Sequence, residues 1–309
     1  MTKSRKLLLV LIVLAISACG STTTTNESSA TTESPTTTAS AKIVNGFVIE
    51  PGADLTNADL SNSDLSYLNL SESNLENANL SNSNLRNTNL DKSNLTNSNL
   101  SGASLRGIKL NDSDLSNANL VGADLYGADL RNANLSGADL SGVDLRNVKN
   151  LIDANLTGAN LTRANLSGMN LDGDRDPDLA IDGANFYEAN LTEADLSGAN
   201  LTGAFFEDAD LSGANLSNSI LYRANFGHTK LIGANLSGAN LSDAWMSGAD
   251  LTDADLQNTN LGGTVFRSVI VKNTKFGGAN LMYNDYVKDL CLAGADINGA
   301  ISPTYGSCD

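Results

Sequence analysis

The stretch Ala53-Asp54-Leu55-Thr56-Asn57-Ala58-Asp59-Leu60-Ser61-Asn62-Ser63-Asp64-Leu65 decides the fold, because its message repeats every five residues. Counted in fives from Leu55 to Leu145, nineteen positions in a row are leucine. Two residues before each leucine there is usually a small side chain, as at Ala53, Ala58, Ser63, Ala118 and Ala123. The residue just before it is nearly always Asp or Asn, as at Asp54, Asp59, Asn79 and Asn89. In extended chain, residues two apart point to the same side, so Ala53 and Leu55 face one way and Asp54 the other. The remaining pair, such as Thr56-Asn57, Arg106-Gly107 or Ser136-Gly137, consists of turn formers that tolerate positive φ. Each unit is a short extended piece followed by a corner. A helix is excluded, because one leucine in five leaves no apolar stripe on a 3.6-residue spiral.

The bulky exceptions give the number of units per turn. Among the leucine positions from Phe186 onward, Phe186, Phe206, Phe226, Met246, Phe266 and Tyr286 recur at intervals of twenty. In the small-residue position Leu68, Thr88 and Ile108 are spaced likewise; Ala128 interrupts them, and Val148 and Met169 resume the series. Like residues twenty apart imply stacked columns, hence four five-residue units per coil. The expectation is an all-β, square β-solenoid.

The unit resembles the consensus of the pentapeptide-repeat family, Ala-(Asp/Asn)-Leu-x-x, over about three quarters of the chain. That resemblance implies a right-handed quadrilateral β-helix with leucines and small residues inside. At a strand spacing of about 4.8 Å, about twelve coils would make a rod on the order of 55 Å long. Stability in such a stack is close to one-dimensional, so its ends need caps.

The chain has 309 residues, a net charge of −16 and 5% aromatics, with a single Trp, Trp245. The repeat argues for one elongated domain over residues 53–289. So acidic a surface repels phosphate backbones and argues against nucleic-acid binding; it also favours solubility.

Residues 1–19 read as an export signal. Lys3, Arg5 and Lys6 precede the apolar run Leu7–Ile16, which is shorter than the about 20 residues a spanning helix needs. The run ends in Ile16-Ser17-Ala18-Cys19, which resembles the lipobox of bacterial lipoproteins. The resemblance implies cleavage before Cys19, a diacylglycerol on its sulfur and an acyl chain on the new amino group, together a stable membrane anchor. The alternative is an ordinary cleaved signal with an incidental cysteine. Gly20, rather than Asp, follows the cysteine, which favours the outer membrane within an envelope location.

Residues 20–41 are rich in Ser and Thr and have little to bury, so they read as a disordered tether spanning roughly 25 Å. Residues 42–52 carry Ile43, Val44, Phe47, Val48 and Ile49 before Pro51-Gly52, and read as an apolar strand capping the first coil. Two irregularities follow. One extra residue at Val148-Lys149-Asn150 shifts the register and is expected to bulge at a corner. Residues 172–182 place Asp176 where a buried leucine is due, so this segment is expected to loop outward.

That loop holds the one metal-like cluster, Asp172, Asp174, Asp176 and Asp178, with Asp182 beyond. Alternating carboxylates can gather hard oxygen ligands for a weak Ca²⁺ site, although Pro177 stands where an EF-hand requires Gly. A solvated acidic loop is the alternative. The one histidine, His228, reads as an exposed corner residue without a triad partner. No phosphate-binding glycine loop and no Cys/His metal spacing appears in the sequence, and no cofactor is expected. Of the cysteines, Cys291 and Cys308 remain after Cys19; two thiols in an exported chain read as a disulfide pinning a C-terminal cap over residues 290–309, with two free thiols as the alternative.

Three functions fit to different degrees. The first is a lipid-anchored, non-catalytic scaffold whose partner is an envelope protein or the cell wall. The second follows from the family resemblance: members of the quinolone-resistance type look like duplex DNA and act on gyrase, which the acidity suits and the export signal does not. The third is an envelope enzyme using the acidic loop.

Overall fold

The five-residue unit builds a coil whose successive turns hydrogen-bond in register. The computed structural model describes residues 42–151, 153–171, 183–282, 286–297 and 299–300, all within the unit Ala41–Asp309. Parallel bridges join Asp54 to Asn74, Asn74 to Asn94 and Asn94 to Asp114, each twenty residues apart, so one turn holds four units. The bonds are evenly laid: Leu55 N–H donates to the Asn74 carbonyl at 2.7 Å, and Asn74 N–H to the Ala53 carbonyl at 2.9 Å.

Almost every described corner closes the same way. The N–H of Ala58 donates to the Leu55 carbonyl at 2.9 Å, and the second corner residue, Asn57, has φ +58°. That is the arrangement of a type II turn, which explains why Asn and Gly dominate the position. Tyr67, Lys92 and Arg163 occupy it too, with φ of 61°, 59° and 57°.

The interior is as the spacing predicts. At the described five-residue positions from Leu55 to Leu281 the leucines are buried, and the alanines two residues before them line the same core. Phe186, Phe206 and Phe226 stack at centroid separations of 5.0 and 4.9 Å with planes 2° and 6° from parallel. Met246 and Phe266 continue the column fully buried, and Tyr286 ends it partly buried. Hydroxyls in the small position find carbonyls either in the turn before, as where Thr229 Oγ1 donates to the Phe206 carbonyl at 2.6 Å and Thr264 Oγ1 to the Leu241 carbonyl at 2.8 Å, or in their own corner, as where Ser219 Oγ donates to the Leu216 carbonyl at 2.7 Å.

Both ends differ from the sequence-based expectation. The N-terminal segment is a hairpin rather than one strand: β1 (Lys42–Val44) pairs antiparallel with β2 (Phe47–Ile49) through Asn45-Gly46, with φ of 51° and 87°. Two positive φ values at Asn-Gly are what a tight hairpin of the right twist requires. The hairpin serves the exposed rim of the first turn, where Lys42 Nζ donates to the Asp64 carbonyl at 2.8 Å and Asn45 Nδ2 to the Asp59 carbonyl at 3.1 Å. At the other end a helix, α1 (Val287–Leu292), begins before the expected boundary at 289, so the fold is not wholly β. Val287 and Leu290, three apart, are buried on one face, a helical spacing where the five-residue one has decayed.

The register slip lies on a face, not at a corner. The corner remains regular, with Val148 N–H on the Leu145 carbonyl at 2.9 Å. Opposite Asp129 two residues divide the work of one: Lys149 N–H donates to the Ala128 carbonyl at 2.8 Å, and Leu130 N–H to the Asn150 carbonyl at 2.9 Å. This is a bulge within the extended segment, and from it onward the bridges Asn134–Asn155 and Asp139–Asn160 are offset by twenty-one. Further on, Asn155 bridges Asn185 and Asn160 bridges Asn190, thirty residues apart. Ala184 N–H donates to the Leu171 carbonyl at 3.2 Å, the bond that closes an ordinary corner. Ten extra residues are therefore accommodated at that corner, and Phe186 resumes the core.

Candidate functional site

The residues that face outward are the only ones free to meet a partner, and four columns of them run along the coil. Their Asp and Asn side chains first serve the corner. Asp54 Oδ1 accepts from Thr56 N–H at 3.2 Å, and Asn74 Oδ1 from Glu76 N–H at 3.2 Å, an Asx turn repeated along the chain. Hydroxyls join in, as where Thr56 Oγ1 donates to Asp54 Oδ1 at 2.6 Å. These bonds hold the Asp54, Asp59 and Asp64 carboxyls below the ordinary range, the side-chain hydroxyls of Thr56, Ser61 and Ser66 acting most and their N–H groups next.

The same side chains also bond along the column. Asn94 Nδ2 donates to Asn74 Oδ1 at 3.0 Å, Asn134 Nδ2 to Asp114 Oδ1 at 3.1 Å, and Asn155 Nδ2 to Asn134 Oδ1 at 3.2 Å. The outward Asp/Asn position is thus doubly structural, a reason for its regularity that the spacing alone did not disclose. Where the ladder is charged, ions pair across turns: Lys230 lies 3.3 Å from Asp210, and Lys149 lies 3.4 Å from Asp129.

Asp129 is the exception to outward exposure, with its side chain 7% accessible. Burial pushes its carboxyl up, but hydrogen bonds and charge from Arg131, joined by Lys149, hold it net below the usual range. Arg131 Nε and Nη2 both reach it at 3.2 Å.

The structure treats the sequence-predicted residues unevenly. His228 is an exposed corner residue, as expected, with φ 54°. Cys291 lies in α1, partly buried against the core, while Cys308 falls outside the described residues. Cys19 and the loop aspartates Asp172, Asp174, Asp176, Asp178 and Asp182 fall outside them as well. Among the described residues no cluster of three or more His, Cys, Asp or Glu is arranged to hold a metal, and no helix is long and apolar enough to cross a membrane.

Apolar residues replace Asp or Asn at Ile220 and Ile270, and one column departs from the pattern with aromatic rings. The outward series Asp54, Asn74, Asn94, Asp114, Asn134, Asn155 and Asn185 continues as Phe205, Asn225, Trp245 and Val265. Phe205 and Trp245 are 40% and 46% accessible. The signal stood in the sequence, as aromatic residues in an Asp/Asn position, but the bulky residues of the inward column drew the reading away from it.

The family match agrees with this architecture. The pentapeptide repeats family matches in eight copies, over residues 51–77, 73–112, 108–147, 150–173, 181–218, 209–246, 219–258 and 246–281. Among solved structures the chain is similar to HetL, a pentapeptide repeat protein involved in heterocyst differentiation regulation in Nostoc sp. strain PCC 7120. The identity is 32%, over 75% of this chain and 90% of that one, with a TM-score of 0.24. It is similar to QnrB1, a plasmid-mediated fluoroquinolone resistance protein, at 18% identity over 71% and 98% of the two chains, TM-score 0.36. A pentapeptide repeat protein of the Arabidopsis thaliana thylakoid lumen matches at 26% identity over 60% and 86%, TM-score 0.14. No curated protein matches. With the family's unit matched along most of its length and its four-unit turn laid out bond by bond, the chain belongs to the pentapeptide repeat family.

Proposed function

We propose that the protein is a lipid-anchored, non-catalytic pentapeptide repeat protein of the bacterial envelope, acting as a scaffold or interaction surface. The observation that supports it most is the coil's outer lattice, in which Asp and Asn side chains are held by corner and ladder bonds such as Asn94 to Asn74. Such faces are pre-organised, so a partner that binds them meets groups already fixed in place. The anchor is Cys19 in Ile16-Ser17-Ala18-Cys19. Metabolic labelling with palmitate in a bacterial host tests it: label on the wild-type chain and none on Cys19→Ser is expected, and equal labelling of both rejects the anchor.

The same reading includes a right-handed winding of about twelve turns over residues 53–289. A crystal structure with left-handed winding or a turn number far from twelve would overturn it. It also includes a Cys291–Cys308 bridge at the C-terminal end, contributing about 3 kcal/mol by chain entropy. Peptide mapping under non-reducing conditions that recovers both thiols free rejects the bridge.

A second reading is favoured by the net charge of −16: a DNA mimic acting on a gyrase-type topoisomerase. Fractionation separates the two. A large cytoplasmic pool of unprocessed chain, with protection of gyrase in vitro, would favour the mimic over the scaffold.

A further inference from the structure

The face that carries Phe205 and Trp245 gives up the amide ladder at three turns, Phe205, Trp245 and Val265, and sets rings in water at two of them. Single exposed apolar side chains are ordinary on a protein surface, and Tyr67, Tyr126 and Ile270 are exposed here too; what sets Phe205 and Trp245 apart is that two rings stand in line on one column with an amide between them. Along this column Phe205 bridges Asn225, which bridges Trp245, so the rings lie two turns apart. The buried phenylalanines measure the rise as 5.0 and 4.9 Å per turn, which separates Phe205 from Trp245 by about 10 Å along the coil axis.

That interval equals the repeat of a β-1,4-linked disaccharide, in which every second pyranose presents the same face. The axial C–H groups of such a face pack against an aromatic ring, and the equatorial hydroxyls reach polar groups at the ring's rim. Those groups are present. Asn225 lies between the rings, donating from Nδ2 to Glu207 Oε2 at 3.1 Å and accepting at Oδ1 from Gly227 N–H at 2.9 Å. Beside Phe205 is an open depression of about 390 Å³ lined by Gly183, Asn185, Tyr187, Phe205 and Glu207. Tyr187 is 37% accessible and offers a further hydroxyl.

Charge narrows the occupant. On the two flanking corners Glu188, Glu207, Asp208 and Asp243 outnumber Arg223 and Arg267, so a polyanion is disfavoured, as is a second copy of a chain carrying −16. We propose that this face binds a linear, uncharged β-1,4-linked glycan laid along the coil axis, with Phe205 and Trp245 stacking on alternate sugars. The proposal deepens the reading of the chain as an interaction surface by naming the partner's chemistry; it does not depend on the lipid anchor.

Trp245 is the single tryptophan of the chain, so its fluorescence reports this site directly. The full chain in detergent is titrated with chitohexaose and cellohexaose, and with maltohexaose as the α-linked control. A saturable change in Trp245 emission with a β-1,4 hexamer is expected, at least about tenfold weaker with the corresponding disaccharide, and none with maltohexaose. Phe205→Ala should weaken hexamer binding by about tenfold or more with its thermal unfolding unchanged. Trp245→Ala, followed by calorimetry, should lose it. No saturable change with either β-1,4 hexamer, an equal response to maltohexaose, or undiminished binding by Phe205→Ala overturns the proposal. Since palmitate labelling at Cys19 is a separate measurement, loss of the anchor and loss of glycan binding are told apart.

Discussion

Phe186 and Phe206 lie face to face inside the coil, ring centroids 5.0 Å apart and planes 2° from parallel. Phe206 stacks again on Phe226 from its other side, so it is the one ring of the three with both faces covered by aromatic neighbours. Phe206→Ala should therefore cost about 3–5 kcal/mol, the usual figure for deleting a buried ring that its surroundings cannot collapse to replace. Chemical denaturation checks it, and a change below about 1 kcal/mol would show that the column is not tightly packed.

Ser98 occupies a small inward position that elsewhere carries alanine, and its buried hydroxyl has no hydrogen-bond partner. Ser83, in an equivalent position, donates to the Leu80 carbonyl at 2.5 Å. Ser98→Ala should raise stability by about 1 kcal/mol, since an unpaired buried hydroxyl is removed and nothing is lost. Ser83→Ala, which forfeits a bond, should not. Parallel unfolding curves of the two variants decide the point.

Gly183 is where the chain re-enters the coil after the ten-residue insertion. A Cβ there would sit 2.5 Å from the Ala204 amide nitrogen and 2.5 Å from the Gly203 carbonyl carbon, backbone atoms that cannot turn aside. Gly183→Ala should destabilise by about 1–3 kcal/mol through local overpacking. Protease cutting between Leu171 and Ala184 should accelerate in the variant. Unchanged cutting and unchanged unfolding would contradict the close approach.

Acid should loosen the corners. The carboxyls of Asp54, Asp59, Asp64 and Asp144 are depressed in the folded state, the first three by hydrogen bonds from Thr56, Ser61 and Ser66 and the last by Arg146. A depressed folded value means that the contribution is complete above the unfolded value of about 4 and disappears as pH falls through the lower folded values. Thermal unfolding should be nearly level from pH 7 to 5 and decline below about pH 4. A decline beginning near pH 6 would point to groups other than these aspartates.

Much of this fold was legible because five and twenty are strong signals. Phe186, Phe206 and Phe226 fix the length of the turn by their spacing alone, and the register changes at Val148 and Leu171 are visible as breaks in the count. What escaped was local or cooperative. Asn45-Gly46 is a strong hairpin pair, but three-residue strands give too little alternation to register beside the long repeat. The bulge at Lys149 was assigned to a corner, since counting residues does not tell which carbonyl Ala128 or Asn150 presents. Asp129 holds an outward position of the repeat, and its burial comes from Arg131 and Lys149 closing over it, which the spacing does not disclose. The Phe205–Trp245 face was missed for a different reason: it is an exception within the outward column, and the inward column had the louder exceptions.

The ten residues taken up between Leu171 and Ala184 leave the bridges on both sides parallel, and the buried series resumes at Phe186. Such a coil keeps count of what it buries and is indifferent to how much chain joins one buried residue to the next. Foreign peptides spliced at that junction should be carried as cargo without unwinding the turns around them, which makes this corner a natural display position.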